Sequence, residues 1–293
     1  VGNDFCNQHS RAFLYRDVTS LKRYAILCGA LLFSPYVIII SPSTKEWRTP
    51  VAIVSSLWVG GPLGFVQRLC LKSFVHYGHK ISLYVYDMDM EVPDGVVKLN
   101  AEDIVPSDKI FNYHGQLAAF SDYFRYKMIQ KTGAMWVDAD TLCLSESFFE
   151  DEPFVFIKES DYLIAGGILK MPKDHEMTAR INKKAEKLLP ALKEAQTDLK
   201  WASLGPLLLT DLAKAYRVTR YAKPAKLVNV LDHWSKGADF WDPSKAEEII
   251  NGCSSAFSAT MFTGTLRARG FDTEQVPPAG SAIDHFARKF GIL

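Results

Sequence analysis

The stretch "SDYFRYKMIQKTGAMWVDAD", residues 121–140, joins two kinds of periodicity. Phe120, Phe124 and Met128 recur at helical spacing, and the pattern predicts a helix from about Leu117 to Lys131, closed by Lys131 and Gly133. "AMWVDAD" then reads as a short apolar strand that ends in two carboxylates. A helix that feeds directly into a buried strand is the second half of an α/β unit, and the preceding residues supply the first.

"VAIVSSLWV", 51–59, is a β-branched apolar run typical of a buried strand, broken by Gly60-Gly61-Pro62. Residues 63–77 carry Phe65, Leu69 and Phe74 at near-helical spacing and stop at Gly78. "KISLYVYD", 80–87, reads as a second strand, Pro93-Asp94-Gly95 as a turn, and "VVKLN", 96–100, as a third strand. Beyond the opening stretch, 154–158 and 162–171 read as strands, and 174–196 and 206–216 as helices. This alternation predicts an α/β fold: a doubly wound, mostly parallel sheet flanked by helices, in a single Rossmann-like catalytic domain over 51–293. Such sheets bind ligands beyond the carboxyl ends of their strands, where Trp58, Asp87 and Asp138–Asp140 fall.

Composition narrows the function. The 293 residues carry 34 Lys+Arg against 33 Asp+Glu, a net charge of +1, which gives no basic stripe for nucleic acid. The five cysteines, Cys6, Cys28, Cys70, Cys143 and Cys253, are scattered without metal-ligand spacing, so neither a disulfide framework nor a structural zinc site is expected. Cys70 and Cys143 sit in apolar surroundings and read as buried thiols. Residues 1–50 form a separate extension. Its apolar run 24–40, preceded by Lys22 and Arg23, is the one candidate membrane segment, short for a span and interrupted at Ser34-Pro35. The expected location is cytoplasmic, peripheral to the membrane or anchored there through this segment.

Asp138 and Asp140, one residue apart at a strand end, can both reach one hard cation, Mg²⁺ or Mn²⁺, which takes a few carboxylate oxygens and fills its remaining positions with water and phosphate. Asp122 and Arg125, three apart, share one face of the preceding helix. An intrahelical ion pair is the ordinary reading of that spacing. The functional reading has Arg125 donate to phosphate or sugar oxygens and Asp122 accept from sugar hydroxyls. A second acid pair, Asp87-Met88-Asp89, lacks such a neighbour and reads as a solvated strand-end turn.

"SDYFRY…GAMWVDADTLCL" resembles the glycosyltransferase family 32 type, the DXD-sugar-binding and capsular-polysaccharide-synthesis-like enzymes. "SLWVGGPLGFVQRLCLKSF", "WASLGPLLLTDLAKAY" and "PPAGSAIDHFARKFG" match further segments in order, so the likeness runs from about Val51 to the end. The resemblance implies a GT-A-like fold and a hexosyltransferase-type enzyme that moves a sugar, with retention, from a nucleotide-diphosphate sugar to a glycan or lipid-linked saccharide. A UDP-sugar is the first expectation for the donor, and polysaccharide biosynthesis for the setting. It implies Asp138 and Asp140 as ligands of Mn²⁺ or Mg²⁺, with Asp122 and Arg125 on the donor sugar and diphosphate. Trp58, Tyr86, Asp87, Ser121 and Gly205 would border the nucleotide-sugar. Two departures stand out. Thr260 and Thr263 occupy places where the family has a metal-binding His and an Asn, and Ala165-Gly166-Gly167 stands where an Asn is common. They motivate an alternative, a non-catalytic nucleotide-sugar or glycan binder. A haloacid-dehalogenase-like phosphatase also uses D-x-D, but there the motif follows the first strand and wants Thr or Val two residues on, where this chain has Leu142. The aromatics Trp234, Phe240 and Trp241 are candidates either for stacking on an acceptor sugar or for filling core.

Overall fold

The computed structural model describes residues 52–194, 199–200, 202–231 and 234–293. The expected extension over 1–50, with its candidate membrane segment, lies outside the described residues. No helix among the described residues is long and apolar enough to cross a membrane.

The first strand, β1 (Ile53–Trp58), pairs in parallel with β2 (Lys80–Val85) on one side and β4 (Met135–Val137) on the other, and β3 (Val97–Asn100) extends the β2 edge. Beyond β4 come β7 (Ile164–Lys170), β6 (Val155–Lys158) and the two-residue β8 (Ala222–Lys223). Only β7 runs against the other six, because a short turn joins it to β6 as a hairpin. The seven-stranded order is β3-β2-β1-β4-β7-β6-β8. A separate antiparallel pair joins β5 (Thr141–Cys143) to β9 (Ser258–Thr260).

Side-chain alternation along each strand builds two cores. Leu57, Tyr84, Trp136 and Phe156 face α2 (Ala118–Thr132), α3 (Glu176–Lys193) and α4 (Pro206–Ala215). Val54, Leu83, Val85, Met135, Val137 and Ile157 face the opposite side, where α1 (Phe65–His76) contributes Leu71 and Phe74. Helices on both faces make the sheet doubly wound and mostly parallel, as the alternation predicted. The helix α2 is buried nearly all round, not along one stripe: Phe120, Phe124 and Met128 are fully enclosed, each contributing about 1.5–3 kcal/mol, and Asp122 and Arg125 are buried as well. It ends on Gly133, whose φ of +76° makes the left-handed cap and whose N–H reaches Ile129 O at 2.8 Å.

A third core packs α1 against α5 (Ala246–Cys253), α6 (Thr263–Ala268) and α7 (Ala282–Lys289). Phe240 and Trp241 are buried there, so of the two readings offered by the sequence they fill core. The side chain of Trp234 lies outside the described residues. Cys70, Cys143 and Cys253 are buried free thiols, each pushed up by that burial.

Candidate functional site

Strand order locates the site. The chain steps from β1 outward to β2 and β3, then returns to the other flank of β1 with β4. Between β1 and β4 the connections diverge to opposite sides, which leaves a crevice at their carboxyl ends. A cleft of about 660 Å³ opens there, lined by Trp58 from the end of β1, Asp138-Ala139-Asp140 from the end of β4, Ser121 and Arg125 from α2, and Thr263 from α6.

The strand β4 ends with its apolar run at Val137, so Asp138-Ala139-Asp140 forms a turn, closed by Thr141 N–H on Asp138 O at 3.0 Å. Two strands pin that turn. Asp138 N–H donates to Gly167 O of β7 at 2.8 Å, and Met261 N–H, just after β9, donates to Asp140 O at 3.0 Å.

The polar groups form two sets, one around Arg125 and one around Asp140. Arg125 Nη1 lies 3.3 Å from Asp122 Oδ1, and Nη2 lies 3.2 Å from Asp138 Oδ1. Arg125 also donates through Nε to Ser121 O at 3.4 Å and through Nη2 to Ser121 Oγ at 3.2 Å. Its guanidinium carbon sits 5.0 Å from the ring centre of Trp136, whose Nε1 donates to Asp138 Oδ1 at 2.8 Å. Asp140 Oδ2 accepts from Thr263 N and Thr263 Oγ1, both at 2.9 Å. Behind Thr263, Gln67 Nε2 donates to Thr263 Oγ1 at 3.4 Å from a fully buried position on α1.

Electrostatics follow from this burial. Burial pushes the Asp122 carboxyl up to about 6, against the pull of Arg125 and with added repulsion from Asp138. Asp140 keeps some surface open to the cleft, yet it is enclosed deeply enough to be pushed up as well. Burial leads, Asp138 repels, and the two Thr263 bonds pull the other way. Burial opposes the Arg125 charge, but Asp138 and Asp122 outweigh it and hold the guanidinium firmly protonated.

Close approach of these groups depends on three glycines. A Cβ on Gly166 would stand 2.5 Å from Arg125 Nη1, and one on Gly167 would stand 3.0 Å from Asp138 Oδ2. A Cβ on Gly205 would fall within 3.0 Å of all three atoms of the Asp122 carboxylate. The Gly166-Gly167 pair, read from sequence as a missing Asn, is the space into which Arg125 and Asp138 fit.

Not every sequence candidate meets at the cleft. Ser121, Arg125, Asp138, Asp140 and Trp58 line it. Asp122 stands behind Arg125, against Gly205. Tyr86 and Asp87 do not line it, because β2 lies on the far side of β1 from the crevice. Tyr86 Oη donates to Val105 O at 2.8 Å, while Asp87 borders a different cavity beside Pro62, Arg68 and Lys72. Asp87 Oδ1 accepts from Asp89 N at 2.9 Å in an exposed turn, the ordinary reading of that acid pair. Thr260 turns its hydroxyl to Asn229 Oδ1 at 2.7 Å, whereas Thr263 reaches Asp140. The sequence gives no sign of Gln67, and it marks Gly166, Gly167 and Gly205 without their role as spacers. Its alignment at Thr263 was the one signal pointing to the C-terminal contribution.

A divalent cation fits what the two carboxylates present. Asp138 Oδ1 and Asp140 Oδ2 take the protein donors described above, which leaves an oxygen of each to share a ligand, and their mutual repulsion favours a cation between them. Among the described residues no cluster of three or more His, Cys, Asp or Glu gathers, so water and ligand oxygens would complete the shell.

No family model matches the chain, and no curated protein matches it. Among solved structures the chain is similar to the PaToxG glycosyltransferase, at 11% identity and a TM-score of 0.43, over 83% of this chain and 88% of that one. The resemblance to the family 32 type therefore stands on the sequence motifs quoted above.

Proposed function

We propose that this chain is a metal-dependent glycosyltransferase that takes a sugar from a nucleotide-diphosphate donor, a UDP-sugar first, and passes it to a hydroxyl of a glycan or lipid-linked saccharide. The observation that carries this reading is the meeting of Ser121, Arg125, Asp138 and Asp140 in one cleft at the switch point of the sheet, with Asp122 directly behind. An acidic pair without such company would be a solvated turn, as Asp87 and Asp89 are.

In this reading Asp138 and Asp140 hold Mn²⁺ or Mg²⁺, which when bound neutralises the diphosphate and assists its departure. Trp136 and Arg125 fix one oxygen of Asp138, and Thr263 fixes one oxygen of Asp140, so each carboxylate turns its other edge to the ligand. Leu57, Trp58 and Phe120 give the cleft apolar walls against which the donor would pack. The acceptor oxygen bonds to the anomeric carbon while the bond from that carbon to the diphosphate oxygen breaks. The electron pair leaves with the diphosphate, and the acceptor proton passes to the departing phosphate or to water. Attack on the face the diphosphate leaves would give retention.

The test is Asp140→Asn, assayed for Mn²⁺-dependent hydrolysis of a panel of UDP- and GDP-sugars and for Mn²⁺ binding. Loss of both, with an unchanged melting curve, is expected, and unchanged turnover refutes the site. A chain that binds nucleotide with Mn²⁺ yet turns over none of the panel would be the binder that Thr260 and the Gly166-Gly167 pair suggested.

A further inference from the structure

Resting on that donor reading, we propose that Arg267, not Arg125, is the side chain that meets the charge of the diphosphate. From sequence Arg125 is the natural candidate, but four of its five N–H groups are turned on the protein itself. Nε and both terminal nitrogens face Ser121 O, Ser121 Oγ, Asp138 Oδ1 and Asp122 Oδ1, and the residue is buried at 6% exposure. To turn paired donors on a phosphate it would have to give up one of its two carboxylate partners. Arg125 is therefore a positioning residue, which holds Asp138 by its Oδ1 edge.

Arg125 and Arg267 are the two cationic side chains that line the cleft among the described residues. Arg267 sits on α6 four residues after Thr263, so both share one helix face, and Thr263 is the residue that grips Asp140. Its side chain is exposed and makes no ion pair or side-chain hydrogen bond among the described residues. The charge balance calls for such a group. Asp138 and Asp140 would neutralise the divalent cation, Arg125 is offset by Asp122, and a diphosphate ester brings about two further negative charges. The free guanidinium matches a phosphate with paired donors, which an ammonium cannot do.

Calorimetry of the full chain with MnCl₂ tests this, with UDP, UMP, GDP and GMP as probes. Arg267→Ala is expected to weaken the better-bound diphosphate about tenfold or more and to lower the ratio of diphosphate to monophosphate affinity. Arg267→Lys should recover part of the loss. Arg269→Ala, which removes the same charge off the cleft wall, should leave the ratio at the wild-type value. Wild-type diphosphate binding in Arg267→Ala, or an equal loss for diphosphate and monophosphate, overturns the assignment while leaving the donor reading intact. If the wild-type chain with Mn²⁺ binds no nucleoside diphosphate, the donor reading fails and the role of Arg267 fails with it.

Discussion

Replacing Gly205 with Ala tests whether the buried carboxylate of α2 sits where the structure has it. The added methyl would lie within 3.0 Å of Oδ1, Oδ2 and Cγ of Asp122. That carboxylate cannot simply swing away, because Arg125 holds Oδ1 at 3.3 Å and the pair is enclosed. Overpacking of a well-filled site costs about 1–3 kcal/mol, and displacing one partner of a buried ion pair costs about 3–5 kcal/mol. A loss of about 3 kcal/mol is expected, which for a domain of this size lowers the melting temperature by about 6–12 °C. Asp122→Ala removes the atoms that the methyl strikes. The double variant should therefore cost little beyond Asp122→Ala alone, a coupling of about 2 kcal/mol or more in a double-mutant cycle by chemical denaturation. Additivity to within about 0.5 kcal/mol would refute the proposed contact. Gly264→Ala gives the opposite control: no atom stands within 4 Å of its Cβ, and a helical Ala should be neutral or stabilising by up to about 1 kcal/mol.

Thr263→Val keeps the shape of the side chain but removes the hydroxyl that Asp140 Oδ2 accepts from and that Gln67 donates to. A hydrogen bond to a buried charged group contributes about 1.5–3 kcal/mol, so denaturation midpoints should fall for Val and stay near wild type for Ser; equal midpoints for the two would contradict it. The Asp122 carboxyl predicts a pH dependence. Its proton stays bound in the folded chain up to about pH 6, whereas the unfolded chain releases it near 3.8. Between those values the folded state binds more protons, so this group's contribution to stability falls as pH rises, by at most about 3 kcal/mol at 1.36 kcal/mol per tenfold in proton affinity. Asp140 is shifted in the same direction, so the measurement is the difference between wild type and Asp122→Asn from pH 4 to 7, and parallel profiles would refute it.

The parts of this structure that were legible in the sequence are those fixed by local periodicity. The runs that became β1, β2 and β4, and the helix α2 with its Gly133 cap, follow from apolar spacing and turn chemistry alone. So does the shared face of Asp122 and Arg125. Strand order is not local. Asp87 and Asp138 both follow strands, and only the return of the chain past β1 decides which of them borders the crevice. The placing of the β6–β7 hairpin beside β4 and the burial of Phe240 and Trp241 are likewise set by packing partners distant in the sequence. Glycine was the least legible of all. Gly166, Gly167 and Gly205 carry no side-chain signal, and their role appears only when the atoms that occupy the missing Cβ positions are known.

The C-terminal segment explains why a motif alone does not make the site. Asp140 is gripped by a residue 123 positions later in the chain, and that residue is approached from α1 by Gln67, 196 positions before it. The same tail caps α1, where Glu274 Oε2 accepts from Phe65 N at 2.6 Å, and a Cβ on Gly64 would collide with the Glu274 carboxylate. A carboxylate at a helix N-terminus is favourable in itself, and here it ties the segment after α6 to the helix that carries Gln67. Two acids at a strand end repel each other and would splay if left alone. What makes them a candidate ligand pair is that separate anchors, Arg125 with Trp136 for Asp138 and Thr263 for Asp140, fix one oxygen of each. Anchors that belong to the fold itself are the condition for a preorganised electrostatic centre.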